Sequence, residues 1–430
     1  MKAAVITFGC KVNQAESASL TQALAAAGWS PGSPEEASLV VVNTCAVTGR
    51  AEREAVSFIR RLKRRRPETL VAATGCLAQF APELLAQKGL ADLVLGQAEK
   101  ADLAAQLARP RGTVAVSPHA SAMPDFVEAR SSRTRAFLKI QDGCEAGCAY
   151  CAVPLARGPS RSHPPERVLA ALAAHWAAGV REVVLTGVHL GLWGRDLDPP
   201  VNLAGLLDEI QRRLRPSPGQ VRLRLSSLEP LETPLVWPAL ERLPWLAPHL
   251  HAPLQSGSDR VLALMGRPYR RAQLLDLLVP LQARRPDLNL GADVMCGFPG
   301  ESLADFEDSV SLIDSLPLGY LHVFPFSPRP GTRACELPDP VPEAEKKRRV
   351  DRLRALDRLK RAEFLASQLG RRREALIENA PHRLSGRLRA LTDNYVQALL
   401  PSGVRLPAGE LVAVELAAPD NPWGLAEARL

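Results

Sequence analysis

Cys144, Cys148 and Cys151 are separated by three and then two residues. Three thiolates this close can hold three irons of a [4Fe–4S] cube, because soft sulfur ligands suit iron–sulfur clusters. The fourth iron is then left without a protein ligand. Such an open iron can be chelated by the amine and carboxylate of S-adenosylmethionine. Electron transfer then breaks the sulfonium bond and gives a 5′-deoxyadenosyl radical. Gly143 and Gly147 let the loop fold around a cube. The competing readings are a zinc site and a loop of buried thiols. Structural zinc takes four ligands, and no Cys or His follows at zinc-finger spacing; His163 stands alone.

Cys10, Cys45 and Cys76 lie far apart in sequence, yet each comes within two or three residues of the expected end of an apolar run. If those runs are neighbouring parallel strands, their ends lie along one sheet edge. The three cysteines, in Gly9-Cys10-Lys11-Val12-Asn13, Asn43-Thr44-Cys45 and Gly75-Cys76, can then converge on a second open-iron cluster. Any one of them alone reads as a small buried hydrophobe. Cys296 and Cys335 have no partners at cluster spacing and read as ordinary thiols.

The elements that must position these residues follow from periodicity. In the first hundred residues, apolar runs at Ala3–Phe8, Leu39–Val42, Leu70–Thr74, Leu93–Leu95 and Thr113–Val116 alternate with helical patterns at Gln14–Ala27 and Gly49–Arg66. This order predicts a parallel sheet with helices on its faces. Pro, Ser and charged residues between Arg109 and Arg133 read as a linker.

A second series predicts strands at Phe137–Gln141, Glu182–Thr186, Val221–Ser226, Leu250–Leu254, Leu290–Val294 and Tyr320–Phe326. Helices are predicted at Glu166–Ala178, Leu203–Leu214, Pro234–Leu243, Arg270–Ala283 and Ser302–Leu316. Six such repeats fit a partial (β/α)6 barrel. Ser327–Pro342 is Pro-rich and reads as a surface wrap; Glu343–Leu369 reads as a charged helix with Leu353, Leu356 and Leu359 as its apolar stripe. Short strands at Ala375–Ile377, Leu384–Leu391, Tyr395–Leu400 and Leu411–Leu416 then suggest a small five-stranded barrel. The fold class expected is α/β, with a parallel-sheet domain, a partial barrel and a small all-β barrel.

The net charge of +8 suits a polyanionic partner, although a solvated surface explains it equally well. No apolar run approaches the length of a membrane span, and the N-terminus does not read as a signal peptide. A cytoplasmic protein with no membrane contact is expected, where cysteines are more often ligands than disulfides.

The cysteine triplet followed by six repeats resembles the radical S-adenosylmethionine superfamily. Tyr150, between the second and third cysteines, matches the aromatic found there. The resemblance implies that Thr186 and Gly187 lie near the cofactor's amino group, and that Ser226, Ser227 and Glu229 contact the cofactor from the third strand. The stretches Gly9–Ser17, Asn43–Ala51 and Gly75–Gln79 further resemble the methylthiotransferases, whose resemblance covers the whole chain. It implies a methylthiotransferase N-terminal domain at 1–118, a radical domain at 130–368 and a TRAM-like RNA-binding domain at 369–430. It also implies two [4Fe–4S] clusters, one held by Cys10, Cys45 and Cys76 and the other by Cys144, Cys148 and Cys151, with S-adenosylmethionine as cofactor.

Gly9–Gln14, Thr186–Gly191, Leu225–Pro230 and His322–Phe326 look like the MtaB-type branch. That branch converts N6-threonylcarbamoyladenosine at position 37 of tRNA to its 2-methylthio form. One S-adenosylmethionine would methylate sulfur at the first cluster and a second would yield the radical. Trp193, Ala146-Gly147 and Cys296 depart from the commoner residues at their positions. Alternatives are a methylthiotransferase for N6-isopentenyladenosine or for a ribosomal-protein aspartate, and a non-catalytic iron–sulfur RNA-binding protein. The implied partners are the tRNA anticodon loop and a reductant such as flavodoxin or ferredoxin; the sulfur donor is not legible.

The TRAM resemblance rests on Thr392-Asp-Asn-Tyr395, and Arg371, Arg372, Arg373, Arg383, Arg387 and Arg389 cluster around it as candidate RNA contacts. Arg60–Arg66 and Lys346–Arg349 could meet phosphates or simply be solvated. Arg157, Arg161 and Arg167 could face cofactor, tRNA or solvent, and His189 and His251 read as structural.

Overall fold

The computed structural model describes residues 1–118, Met123 and 134–430. The expected linker lies outside these residues from position 119 on, as does the expected start of the second domain at 130.

The first unit runs β1 (Lys2–Thr7), α1 (Lys11–Ala26), β2 (Ser30–Pro31), β3 (Leu39–Thr44), α2 (Gly49–Arg65), β4 (Leu70–Gly75), α3 (Cys76–Phe80), α4 (Pro82–Ala86), β5 (Leu93–Leu95), α5 (Leu103–Gln106) and β6 (Thr113–Ala115). Its strands form one parallel sheet in the order β2-β1-β3-β4-β5-β6. β3 is buried along its whole length, as an apolar run between two helical layers must be. The α1 helix starts at Lys11 and not at Gln14, because Cys10 takes an extended N-cap conformation and Val12 and Asn13 already face inward. The edge strand β2 was absent from the sequence reading; two residues ending in proline carry no strand signal.

The second unit runs β7 (Arg135–Lys139), β8 (Gln141–Asp142), α6 (Val153–Arg157), β9 (Arg161–Ser162), α7 (Pro165–Ala177), β10 (Glu182–Thr186), α8 (Leu203–Leu214), β11 (Arg222–Leu225), α9 (Thr233–Arg242), β12 (His249–Gln255), α10 (Asp259–Leu264), α11 (Arg271–Arg284), β13 (Asn289–Cys296), α12 (Leu303–Ser315), β14 (Leu318–Pro325) and α13 (Glu343–Gln368). The triplets β7-β10-β11 and β12-β13-β14 are parallel, and the bridge Leu223–Leu246 links them. Six strands thus form an open arc with helices outside it. The expected strand Phe137–Gln141 is displaced to 135–139; the chain turns at Ile140, and Gln141–Asp142 pairs with β9 instead.

The apolar stripe of α13 also differs. Leu353 is fully buried, Leu356 only partly, and Leu359 is 59% exposed. Steps of three drift 60° each around a helix of 3.6 residues per turn, so Leu359 has rotated off the buried face. Val350, Leu353 and Phe364 are the apolar anchors on the packed face. Nor does Ser327–Pro342 merely wrap the surface, since Arg329, Thr332 and Ala334 are buried in it.

The third unit is a closed barrel of β15 (Arg372–Ile377), β16 (Arg389–Thr392), β17 (Gln397–Leu399), β18 (Leu411–Ala417) and β19 (Ala426–Arg429). The expected strand from Leu384 begins only at Arg389, because 382–386 is a turn closed by Gly386 N–H donating to His382 O at 2.8 Å. This barrel plugs the N-terminal end of the arc. Fully buried Glu182 pairs with Arg222 and, at 2.9 Å, with Arg224. Arg224 then donates to Asp393 O at 2.8 Å, and Asn289 donates to Asn394 O at 2.8 Å. Among the described residues no helix is long and apolar enough to cross a membrane.

Replacing Leu353 by alanine should cost about 2–5 kcal/mol through the cavity left behind. Leu359→Ala should stay within about 0.5 kcal/mol. Paired chemical-denaturation curves measure both, and equal losses would restore the original stripe.

Candidate functional site

Because β1, β3 and β4 are neighbours in a parallel sheet, their C-terminal ends share one edge. Cys10 caps α1 there, Cys45 follows β3, and Cys76 opens α3. Two glycines allow this crowding. Gly9 has φ +100°, and a Cβ on it would lie 2.6 Å from Cys45 Sγ. Gly75 has φ +93°, and a Cβ there would overlap Asn43 Oδ1. Asn13 Nδ2 donates to Phe8 O at 2.8 Å and Thr44 O at 2.9 Å, tying the first two cysteine loops together. Cys10 is exposed, while Cys45 and Cys76 are buried. Burial, then the neighbouring Cys76 and Cys10 sulfurs, push the Cys45 thiol up to about 12. Burial likewise raises Cys76, against the opposing pull of Arg157.

The second set lies on the loop between β8 and α6. Gly143 has φ +73°, and a Cβ on it would overlap the Pro159 carbonyl. Cys144 N–H donates to Gly158 O at 3.0 Å, Ala149 N–H to Met265 O at 2.9 Å, and Ala334 N–H to Ala149 O at 2.8 Å. Burial pushes Cys151 up to about 12, Cys148 and Cys144 adding to it against a backbone hydrogen bond from Val153. Cys144 Sγ is 3.5 Å from His189 Nδ1, whose Nε2 is 2.8 Å from Glu232. Burial pulls the His189 imidazolium down, but hydrogen bonds to Cys144 and Glu232 outweigh it and take it up to about 10. Arg267 donates to Cys148 Sγ at 3.2 Å and pairs with Glu229.

Both donor sets suit a metal cluster. Where burial raises the thiol, at Cys45, Cys76 and Cys151, a cation must replace the proton before the soft thiolate can bind iron.

The remaining residues singled out in the sequence surround the second loop. Tyr150 is packed against the apolar cluster of Met265, Met295 and Phe298. Thr186 ends β10, and its carbonyl accepts from Ile140 N–H at 2.9 Å. Gly187 faces Gln141, whose Oε1 would lie 2.8 Å from a Cβ. The buried Ser226 hydroxyl has no hydrogen-bond partner among the described residues. Ser227 is half-buried, and Glu229 is raised by burial, with Arg267 and His189 opposing. Sequence reasoning missed Arg267 and Gln97, whose Nε2 is 3.6 Å from Cys76 Sγ; no local spacing marks either. It also took His189 as structural, although that ring meets a cysteine of the triplet.

A buried charge network joins the two sets. Arg157, from the helix just after Cys151, donates to Cys76 Sγ at 3.2 Å and Asn13 Oδ1 at 2.7 Å. Its guanidinium lies 2.8 Å from both Glu16 and Asp142. Glu16 also takes Lys100 at 2.7 Å and Lys139 at 2.9 Å. Burial alone would raise Glu16, yet Arg157, Lys100 and Lys139 hold it well below the usual carboxylate range.

Several basic residues expected to face RNA are therefore internal. Arg157 and Arg161 are buried, whereas Arg167 is exposed. Lys346 and Arg349 are buried too, Arg349 against Glu301. Arg373 pairs with Asp393 at 2.7 Å and Asp287 at 3.0 Å; Arg387 pairs with Glu427, and Arg389 with Glu378 at 3.1 Å. Arg371, Arg372 and Arg383 are exposed. In the run Arg60–Arg66, Lys63 binds Asp92 at 2.5 Å and Arg66 binds Glu68 at 2.9 Å. Arg61 instead joins Arg50, Arg53, Glu54, Phe8 and Phe58 in a surface groove, where Arg50 pairs with Glu54 at 2.8 Å.

Residues 2–96 match the family described as uncharacterized protein family UPF0004, and residues 138–313 match the radical SAM superfamily. The threonylcarbamoyladenosine tRNA methylthiotransferase MtaB of Thermotoga maritima is 36% identical, over 86% of this chain and 85% of its own. The tRNA-2-methylthio-N(6)-dimethylallyladenosine synthase of Moorella thermoacetica is 34% identical, over 96% of this chain and 95% of its own. Among solved structures, the radical S-adenosylmethionine methyltransferase TsrM of Kitasatospora setae shares the fold. Its TM-score is 0.53 at 17% identity, over 78% of this chain and 74% of that one.

Glu16→Gln should cost about 3–5 kcal/mol at pH 7, because three buried cations lose their shared anion. A depressed carboxylate stabilises above its unfolded value near 4.5 and loses that contribution as pH falls toward its folded value. Wild-type stability should therefore fall more steeply between about pH 5 and 3 than that of the variant. Thermal unfolding across that range measures the difference, and parallel curves would refute it.

Proposed function

The chain belongs to the radical SAM methylthiotransferase family, and from that premise we propose that it places a methylthio group on C2 of N6-threonylcarbamoyladenosine at position 37 of tRNA. The observation that carries this reading is the meeting of two three-cysteine sets through one side chain: Arg157 leaves the helix after Cys151 and bonds Cys76. In this assignment Cys10, Cys45 and Cys76 hold one [4Fe–4S] cluster and Cys144, Cys148 and Cys151 the other. Loaded and reduced, the second supplies the one-electron cleavage of S-adenosylmethionine that C–S bond formation at an unactivated carbon requires.

The chain's own groups then have distinct tasks. Tyr150, Thr186, Gly187, Ser227 and Glu229 surround S-adenosylmethionine beside the second loop. Arg267 fixes Glu229 and lends positive charge to Cys148. Gly9 lets the Cys10 loop approach Cys45, and Gly143 lets the triplet loop approach Pro159. Residues 1–118, 130–368 and 369–430 act as cluster domain, radical domain and TRAM-like RNA-binding domain. Exposed Arg371, Arg372 and Arg383, with the groove of Arg50, Arg53 and Arg61, suit the phosphates of an anticodon arm. The reductant is of the flavodoxin or ferredoxin class, and the setting is the cytoplasm. The Moorella relative supports a second reading, in which N6-dimethylallyladenosine is the substrate.

Anaerobically purified protein should bind about eight irons, and Cys76→Ala or Cys148→Ala about four, since each removes one cube's ligand. Binding of about four by the wild type would remove the sulfur-inserting cluster. Mass spectrometry of tRNA nucleosides from a deletion strain should show loss of 2-methylthio-N6-threonylcarbamoyladenosine. Its persistence alongside loss of the 2-methylthio dimethylallyl nucleoside would favour the second reading.

A further inference from the structure

The residue after Cys10 points its charge into the barrel arc. Lys11 lies within electrostatic reach of Tyr395, Arg135, Arg224 and Asp293. It makes no hydrogen bond or ion pair among the described residues. The other cations near it are engaged. Arg224 is held by Glu182 and by carbonyls of the third unit, and Arg135 lies 3.9 Å from Glu182 and 3.8 Å from Glu378.

The one carboxylate beside Lys11 is also engaged. Asp293 Oδ1 takes His251 Nε2 at 2.8 Å and His322 Nδ1 at 3.2 Å. The hydrogen bonds fix the protons along this row. His251 donates from Nε2 to Asp293, so its Nδ1 accepts the Tyr320 hydroxyl at 2.9 Å, and Tyr320 in turn accepts from His249 Nε2 at 2.8 Å. Burial keeps both His249 and His251 neutral. His322 Nδ1 also meets Asp293, which leaves Nε2 of a half-exposed ring without a hydrogen-bond partner among the described residues. Among the described residues, the Lys11 amine and Nε2 of His322 are thus left without a hydrogen-bond partner, near Asp293 and next to the first cysteine set.

Resting on the substrate proposed above, we infer that Lys11 binds the carboxylate of the N6-threonylcarbamoyl group and that His322 Nε2 accepts from its hydroxyl. The chemistry of the base places them correctly. C2 and C6 of adenine both flank N1, so a substituent on N6 lies beside the reacting carbon. A carbon that reacted beside the first cysteine set would have its N6 arm near Lys11, the residue after Cys10. A carboxylate desolvated beside Lys11 needs a cation, and a charge-assisted hydrogen bond there is the stronger kind. A dimethylallyl arm offers neither charge nor hydroxyl, so Lys11 distinguishes the two substrates by leaving its own ammonium unpaired against the apolar one.

The test compares two anticodon stem-loops, one carrying N6-threonylcarbamoyladenosine and one carrying its methyl ester, with the fully reconstituted chain. Wild type should convert the acid with a kcat/KM about tenfold or more above that for the ester. Lys11→Gln and Lys11→Met should bring the acid-to-ester ratio of kcat/KM down to about one, and Lys11→Arg should keep the preference. The ratio is taken within one preparation, so partial cluster loss cancels. Equal conversion of acid and ester by wild type, or an unchanged ratio in both neutral variants, overturns the assignment. A wild type that modifies an N6-dimethylallyladenosine stem-loop but neither acid nor ester overturns the substrate reading itself, and the assignment with it.

Discussion

Glu16 is a carboxylate in the interior of an interface, and Arg157, Lys100 and Lys139 converge on it from three different elements. None of these charges could be buried alone, since an unpaired ion in such a setting costs several kcal/mol. Two of the cations belong to the barrel unit and one to the N-terminal sheet, so the satisfied geometry is also the docked geometry. The orientation of the two units follows. Arg157 can reach Glu16, Asp142, Asn13 and Cys76 together only in one pose. Cys76 and the helix after Cys151 therefore meet because a charge network, and not only apolar packing, fixes the interface.

Local chemistry was legible in the sequence where it is encoded locally. The Cys144–Cys151 spacing names a loop, and the β-branched runs at 39–44 and 70–75 name adjacent buried strands whose ends carry cysteines. The six-strand arc and the small closed barrel could be read from repeat length and turn residues. What could not be read depends on partners far along the chain. Arg157 and Arg161 look like loop charges until Glu16 and Asp142 are seen beside them, and Arg373 looks like an RNA contact until Asp393 and Asp287 take it. The start of α1 at Lys11 is set by a cysteine acting as N-cap, a residue with no capping signature. Leu359 was misplaced for a simpler reason: a three-residue step was treated as if it held one face.

Arginine does two separate jobs in this chain. Inside, its fork bridges several acceptors at once, as Arg224 does between Glu182 and the backbone of the third unit. Outside, it leaves a few exposed cations on the closed barrel and along the groove by Phe8. A net charge of +8 consequently overstates the area available to a polyanion, because much of the positive charge neutralises interior acids. The small barrel is not a loosely tethered appendage. Tyr395 takes a left-handed backbone at φ 68° and places its ring 4.4 Å from that of His249 inside the arc.

The strap at 327–342 touches both cysteine-bearing units. Ser327 Oγ accepts from Gly49 N–H at 3.1 Å, Arg329 pairs with Glu52, and Arg333 reaches the carbonyl of Gly147. Ribosomes deliver the chain from its N-terminus, so Cys10 through Cys151 emerge long before this segment exists. During that interval the sheet edge and the triplet loop lack the contacts that Ser327, Arg329 and Arg333 supply. The segment that clasps the two cysteine-bearing loops is thus translated after both of them.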